Sequence, residues 1–244
     1  MKRILALLLM LPSAAFADCV VLLHGLARTD ASLLVMETVL RREGFDVVNH
    51  TYPSTEATIP ELAEIAVPEG LSGCKGTRPV HFVTHSMGGI VLRQYLSEMW
   101  IDGLGRVVML APPNQGAELA ERLGDLPIFE WMNGAAGLQL GTGRGSVPLG
   151  LGPVTFDLGV IAGNQTVNIV TSALIEGADD GKVSVTETQV EGMDDMIVLP
   201  VTHTFMMNDP VVIAEVLAFL RTGQFERDMG LGGALEEIVT VTGQ

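Results

Sequence analysis

The segment with the clearest chemical potential is residues 84–89, Thr-His-Ser-Met-Gly-Gly, which follows a short apolar run. A serine between a buried strand and a helix occupies a tight turn that lifts its hydroxyl above the edge of the sheet. Small residues two positions before and after the serine relieve crowding in this turn. Gly88 meets the second requirement, and Thr84 stands where glycine is usual. The pattern predicts that Ser86 is a nucleophile and that the N–H of Met87 points towards the space beside it.

A serine hydroxyl is a weak nucleophile until a base removes its proton, and five histidines are available for this role. His203 follows the last predicted strand, so its loop should emerge at the same edge of the sheet as Ser86. The other four belong to earlier predicted strands or directly follow them, and the side chain of His85 is expected to leave its strand on the side opposite Ser86. We therefore predict that His203 is the base.

The imidazole of the base needs a carboxylate to orient it. Asp180 directly precedes a glycine in a turn rich in Asp and Gly, which favours a turn that presents its carboxylate. Asp179 is the alternative acid at the same turn. Asp194 and Asp195 are weaker candidates, because they come shortly before His203 and are separated from it by a predicted strand.

Strands and helices alternate along the chain, which predicts a mostly parallel sheet with helices on both faces. Ligands bind such sheets at the carboxyl ends of the strands, where the residues named above are expected. The predicted strands are residues 19–23, 45–50, 80–84, 106–110, 156–162 and 196–200. The predicted helices begin at residue 29 or 30 and end at 42, run from 59 to 66 with Pro68 as the stop, run from 89 to 100, and begin again at 210.

The order serine, acid, histidine along the chain resembles the α/β-hydrolase superfamily, specifically bacterial lipases and carboxylesterases. The resemblance covers most of the chain from about residue 20 to the last helix. The segments that carry it are His24-Gly25-Leu26, residues 85–89, Ala111-Pro112-Pro113-Asn114-Gln115-Gly116, Asp180-Gly181 with Val183, and Val201-Thr202-His203.

The resemblance implies one α/β-hydrolase domain over residues 18–244, which cleaves carboxylic esters through an acyl-enzyme. It assigns the two oxyanion N–H donors to Leu26 and Met87, and the mechanism requires no cofactor and no metal. A lipid acyltransferase, a thioesterase or a phospholipase with the same triad is the alternative function, and a non-catalytic hydrolase-like binding protein is a remote one.

Residues 124–152 interrupt the alternation with eight glycines and too little periodicity to predict a helix or a strand. A loop of this length is usually a lid or a binding loop. We therefore expect a lid-like excursion over about residues 121–153 that lines or covers an acyl pocket. Its large apolar side chains are Phe129, Trp131, Met132, Leu138 and Leu140.

The charge of the chain excludes several classes of partner. Fourteen Lys and Arg face 29 Asp and Glu among 244 residues, a formal charge of −15. Nucleic-acid binding requires a basic surface, and an anionic membrane would repel this chain. The expected partner is a small ester or lipid molecule, and the sequence leaves the oligomeric state open.

The N-terminus has the pattern of a signal peptide over residues 1–17. Lys2 and Arg3 precede an apolar run of eight residues, which is too short to span a bilayer, and Ala-Phe-Ala at residues 15–17 fits a cleavage site. Cleavage after Ala17 leaves 227 residues with a formal charge of −17. The sequence thus predicts export, to the periplasm or beyond.

Export changes the interpretation of the two cysteines, because thiols in an oxidising compartment usually pair. Cys19 begins one predicted strand and Cys74 comes shortly before another, so both are expected near one end of the sheet. We predict a disulfide between them, with two unpaired buried thiols as the alternative.

Overall fold

The computed structural model describes residues 17–74, 76 and 79–240, so the predicted leader lies outside the described residues except for Ala17. Its centre is a six-stranded parallel sheet with the strand order β2-β1-β3-β4-β5-β6. This confirms the predicted fold class. The strands are β1 (Cys19–Leu23), β2 (Asp46–Asn49), β3 (Val80–His85), β4 (Leu104–Leu110), β5 (Leu158–Gly163) and β6 (Asp195–Leu199).

Helices surround this sheet, and the shortest of them are single turns. A 3-10 helix (Asp30–Leu33) leads into the first α-helix, and another (Met206–Asn208) precedes the eighth. The α-helices are α1 (Leu34–Arg42), α2 (Ile59–Gly73), α3 (Met87–Glu98), α4 (Glu118–Leu123), α5 (Pro127–Leu138), α6 (Val147–Gly150), α7 (Ile169–Ser172), α8 (Pro210–Thr222) and α9 (Leu231–Thr240).

The sheet is buried on both faces, as the apolar character of its strands predicts. Successive side chains of a strand point to opposite faces, and β1 shows the consequence. Val21 and Leu23 pack into a core with α2 and α3, whereas Val20 and Leu22 pack into a second core with α1 and α8. All four side chains are fully buried.

Helix α2 continues past Pro68, so the prediction that this proline ends the helix is wrong. The proline removes one backbone N–H, but the helix beyond it lies close against the sheet. A Cβ built on Gly70 would lie 2.5 Å from a methyl group of Val21, and one on Gly73 would lie 2.7 Å from Val48. This close packing favours the continued helix over the local preference of proline.

The disulfide prediction is confirmed: Cys19 and Cys74 are bonded, with their Cα atoms 5.8 Å apart. Cys19 is the first residue of β1, and Cys74 directly follows the last residue of α2. The bond therefore lies at the amino-terminal edge of the sheet, opposite the edge where Ser86 follows β3.

The excursion between β4 and β5 is largely helical, whereas the sequence predicted an irregular loop. It contains α4, α5 and α6, and α5 is interrupted at Gly134, which has a φ of +63°. A Cβ at this glycine would lie 1.9 Å from the carbonyl oxygen of Thr55, so the backbones touch there. Short helices of this kind form mainly through tertiary contacts, which a periodic sequence pattern does not reveal.

No helix in the described part of the chain is long and apolar enough to cross a membrane.

Candidate active site

Ser86 occupies the turn between β3 and α3, as predicted, and its backbone has φ +53° and ψ −123°. Such a conformation is uncommon for a residue other than glycine and is characteristic of strained functional turns. Two other non-glycine residues of the described chain share a positive φ, namely Ala27 after β1 and Ala111 after β4. All three follow strands at the carboxyl edge of the sheet.

Glycines around Ser86 allow three backbones to meet. A Cβ at Gly88 would lie 2.5 Å from the carbonyl oxygen of Leu23 and 2.7 Å from that of His24. A Cβ at Gly25 would lie 3.2 Å from Cβ of Ser86. The requirement for glycine at both positions therefore comes from the contact between the end of β1 and the serine turn.

Thr84, which departs from the usual glycine, is accommodated by the glycine five residues later. Its side chain is fully buried, and a Cβ at Gly89 would lie 3.2 Å from Oγ1 of Thr84 and 3.3 Å from Cβ of Pro112. The missing side chain at Gly89 thus provides the space that a threonine needs here. Helix α3 begins at Met87, two residues earlier than predicted.

His203 and Asp180 form a buried hydrogen-bonded pair. Nδ1 of His203 donates to Oδ2 of Asp180 at 2.8 Å, and the side chains are 5% and 1% exposed. The backbone N–H of His203 also donates to the carbonyl oxygen of Asp180 at 3.0 Å. The second carboxylate oxygen of Asp180 accepts from the N–H groups of Lys182 and Val183. These bonds fix the carboxylate and the imidazole relative to each other.

Asp179, the alternative acid, points elsewhere and shapes the turn. Its carboxylate accepts from Oγ of Ser172 at 2.6 Å and from the N–H of Gly181 at 2.7 Å. Asp194 and Asp195 precede and begin β6, so they lie at the opposite edge of the sheet. Of these four aspartates, Asp180 is the one bonded to His203.

The loop after β1 is fixed by a ring contact between His24 and Tyr52. The rings stack with centroids 4.1 Å apart, and the Tyr52 hydroxyl donates to the His24 carbonyl. The N–H of Ala27 donates to Oγ of Ser54, while the N–H of Leu26 donates to no described backbone carbonyl. Leu26, the predicted first oxyanion donor, lines the cavity together with Ser86.

Met87 begins α3, and the first N–H groups of a helix have no partner within the helix. The N–H of Met87 therefore has no partner within its helix and directly follows Ser86 in the chain. Together with the Leu26 loop, which reaches Ser86 through Gly25, it could supply two donors to one oxyanion.

His85, which the sequence did not favour as the base, lies against the predicted base and lines the same cavity as Ser86. Its ring centroid is 4.9 Å from that of His203, and its Nε2–H donates to the His203 carbonyl at 3.0 Å. Burial, and then the charge of His203, lowers the pKa of His85 well below the usual value. Its neutral ring therefore supports the backbone of the base, a role that sequence adjacency to Ser86 concealed.

A cavity of about 530 Å³ brings these residues together at the carboxyl edge of the sheet. Ser86, His203 and Leu26 line one side of it, and residues of α4 and α5 line the other. Of the apolar side chains predicted for the acyl pocket, Met132 and Leu140 line the cavity. Leu138 is not part of its lining and is 40% exposed. The side chains of Phe129 and Trp131 lie outside the described ones.

Two carboxylates attach the helices over the cavity to the rest of the molecule. The buried carboxylate of Glu187 accepts two hydrogen bonds, both at 2.6 Å. One comes from the N–H of Glu118, at the start of α4, and the other from the N–H of Ser184, which follows the turn that contains Asp180. Burial raises the pKa of Glu187. Glu121 of α4 accepts from the N–H groups of Thr142 and Gly143.

Metal-binding clusters of three or more His, Cys, Asp or Glu side chains are absent from residues 17–74, 76 and 79–240.

The fold is shared with bacterial lipolytic enzymes of known structure. The mature lipase BlEst2 from Bacillus licheniformis is 16% identical, with a TM-score of 0.66 over 86% of this chain and 94% of that one. The phospholipase PlaB from Legionella pneumophila is 17% identical, with a TM-score of 0.66 over 93% of this chain and 64% of that one. The metagenomic carboxyl esterase MGS0156 is 16% identical, with a TM-score of 0.63 over 94% and 76%.

At these identities the structural similarity establishes the fold alone. No curated protein is significantly similar to the chain in sequence. A family model does match, over residues 20–216, and its description is the alpha/beta hydrolase family. The match extends from β1 into α8 and includes Ser86, Asp180 and His203. The chain therefore belongs to the alpha/beta hydrolase family.

Proposed function

We propose that this protein is a serine hydrolase that cleaves carboxylic esters through an acyl-enzyme. In this proposal Ser86 is the nucleophile, His203 the general base and Asp180 the acid that orients it. The observation that carries the proposal is the buried hydrogen bond between Asp180 and His203 beside a cavity that Ser86 also lines. The strained turn at Ser86 supports it, since strain of this kind is concentrated at functional sites.

The reaction begins with attack of the Ser86 hydroxyl on the ester carbonyl, while Nε2 of His203 takes the proton. The Asp180 carboxylate stays ionised and stabilises the imidazolium. The N–H groups of Leu26 and Met87 donate to the developing oxyanion, and one such donor contributes about 2.7–4 kcal/mol to transition-state stabilisation. His203 then protonates the leaving alcohol, and the acyl group remains on Ser86 until water, activated by the same histidine, releases the acid.

Labelling with a fluorophosphonate tests the nucleophile directly. The wild-type protein should be labelled at Ser86 and should hydrolyse 4-nitrophenyl acetate, whereas Ser86→Ala should lose both properties without unfolding. Ser97→Ala is the matched control, because Ser97 is an exposed serine of α3 that bonds only within its own helix. Labelling or turnover that persists in folded Ser86→Ala would overturn the proposal.

The acyl group is proposed to lie against the helices over the cavity. The lining residues from α4 and α5 include Leu119, Leu123 and Met132, which offer an apolar surface to a hydrocarbon chain. A series of 4-nitrophenyl esters with increasing acyl length measures how long a chain this surface accepts. Since the cavity is about 530 Å³, we expect rates to fall for the longest acyl chains.

We further propose that the protein acts outside the cytoplasm after removal of residues 1–17. The disulfide between Cys19 and Cys74 supports this proposal, because such bonds persist in oxidising compartments. N-terminal sequencing of the protein from a fractionated bacterial host tests it. A first residue of Asp18 in the periplasm or medium is expected, and an intact Met1 in the cytoplasm would contradict it.

A further inference from the structure

The cavity beside Ser86 contains a pair of cationic side chains that the proposed hydrolysis does not use. Of the described lining residues, Arg28 and Lys182 are the basic ones besides the histidines, and none of the described lining residues is Asp or Glu. This is unexpected in a chain with 29 acidic and only 14 basic residues. Two of the few basic residues of the chain therefore line the same cavity as Ser86.

Neither cation has a carboxylate partner within ion-pair distance in the described part of the chain. Other arginines of the described chain do have such a partner: Arg41, Arg122 and Arg227 each form an ion pair with an Asp or Glu. Asp180 is close to Lys182, but its two oxygens are occupied by His203 and by backbone N–H groups.

The two cations also affect each other. Shielding from water and then the charge of Arg28 lower the pKa of Lys182, while Asp180 opposes them. Both cations line the same cavity as His85, and the charge of each lowers the pKa of that histidine. Two like charges in one cavity repel, and an anion between them would relieve that repulsion.

The position of Lys182 indicates which part of an ester would carry such an anion. In the proposed mechanism His203 gives its proton to the leaving alcohol, so the alcohol portion lies against the loops that hold His203. Lys182 belongs to the turn of Asp180, and its N–H donates to the carboxylate at 3.0 Å. The lining residues contributed by α4 and α5 are apolar except for Asn133.

We propose that Arg28 and Lys182 form an anion-binding subsite, and that the preferred substrate is an ester with an apolar acyl chain and a carboxylate or phosphate on its alcohol side. This inference rests on the proposed ester hydrolysis and specifies the substrate class of the same site. An arginine can bind two oxygens of such a group with its planar fork, and a lysine adds a point charge.

Three hexanoate esters test the subsite: those of phenol, of 4-hydroxybenzoate and of 4-hydroxyphenyl phosphate. The readout is the ratio of kcat/KM for each anionic ester to kcat/KM for the neutral one. We expect this ratio to fall about tenfold or more in Arg28→Gln and in Lys182→Met, as expected for the loss of a charge-assisted hydrogen bond. Lys182→Arg should restore most of the preference. The carboxylate and phosphate arms show which anion the subsite favours.

Arg42→Gln is the matched control, because Arg42 is an exposed arginine at the end of α1, outside the cavity lining. Its ratios should equal those of the wild type. Added salt should also weaken the anionic preference of the wild type, since mobile ions screen charges at an open site.

Calorimetric titration of Ser86→Ala with octyl phosphate provides a measurement that does not depend on turnover. Binding should weaken about tenfold or more when either Arg28→Gln or Lys182→Met is added. Unchanged ratios with retained turnover, or equal octyl phosphate affinities, would overturn the subsite and leave ester hydrolysis intact. Absence of labelling at Ser86 and of any ester turnover would instead refute the hydrolase proposal, while the titration would still decide the subsite.

Discussion

Asp180 and His203 are joined by two hydrogen bonds, one between their side chains at 2.8 Å and one from the backbone N–H of His203 to the Asp180 carbonyl at 3.0 Å. The second bond ties the two loops together independently of the carboxylate. Removal of the carboxylate charge should therefore change the chemistry of the imidazole more than the position of its backbone.

Asp180→Asn is expected to lower kcat for 4-nitrophenyl acetate by about 10⁴-fold, because the amide favours the wrong tautomer of His203. Asp179→Asn is the matched control. It removes a neighbouring carboxylate that bonds Ser172 and Gly181, so a loss of less than about tenfold is expected. Stopped assays with equal amounts of folded protein, verified by circular dichroism, provide the comparison. Equal losses in both variants would contradict the assignment of the acid.

Gly88→Ala should destabilise the protein and inactivate it, because the new methyl group would lie 2.5 Å from the carbonyl oxygen of Leu23. Overpacking of this kind costs about 1–3 kcal/mol of unfolding free energy, and here the backbones cannot separate without moving Ser86. Gly150→Ala is the control, since nothing lies within 4 Å of the corresponding Cβ. Urea unfolding measures the free energy of unfolding of both variants. A Gly88→Ala protein as stable as the wild type would contradict the claim that the backbones around Gly88 leave no space for a methyl group.

Removal of the disulfide should lower stability without a direct effect on the chemistry. The bond links residues 55 positions apart, and loss of a bond of this kind typically costs about 2–4 kcal/mol. The double variant Cys19→Ala, Cys74→Ala should unfold at lower urea and should no longer respond to a reducing agent. Its kcat at low temperature should stay near the wild-type value, because the bond lies at the edge of the sheet opposite Ser86. A large loss of kcat in the folded variant would contradict this separation.

Three buried histidines should make the fold sensitive to acid. Burial lowers the pKa of His24, His81 and His85 below the usual value of 6.5, so below that pH the unfolded chain binds more protons than the folded one. Stability should thus be fully present above pH 6.5 and should fall as the pH decreases below it. The slope should be at most about 1.4 kcal/mol per pH unit for each histidine.

Urea unfolding at about pH 7.5 and about pH 5.5 measures this slope. His81→Gln should reduce the pH slope by the contribution of one histidine, because it removes one titrating group. His81 is chosen because it lies at the amino-terminal edge of the sheet and outside the cavity lining. Equal unfolding free energies at the two pH values would disprove the link to buried histidines.

The sequence predicted the strands well, because strands buried on both faces consist of continuous apolar runs and their ends coincide with turn residues. The positions of Ser86, Asp180 and His203 at one edge follow from that alternation. The disulfide was also predictable once export was inferred from the N-terminus.

Other features depend on contacts between segments distant in the chain. Helix α2 passes Pro68 because Gly70 and Gly73 allow it to approach the sheet, and glycine spacing alone does not indicate a partner. His85 contacts the loop of His203, 118 residues away, and nothing in the local sequence around Ser86 indicates that contact. Arg28 and Lys182 are likewise distant in sequence and become a pair only in the folded cavity.

The positive φ values at Ala27, Ser86 and Ala111 have a consequence for protein engineering. Each such conformation costs about 1–3 kcal/mol for a residue with a side chain, so the folded state is less stable than the same sheet with relaxed strand ends. Ser86 cannot be replaced because the proposed reaction needs its hydroxyl, but Ala27 and Ala111 carry only a methyl group. The methyl group of Ala111 is buried in the core, whereas Ala27 is exposed, so glycine at Ala27 offers a route to a more heat-resistant variant that alters no reacting atom.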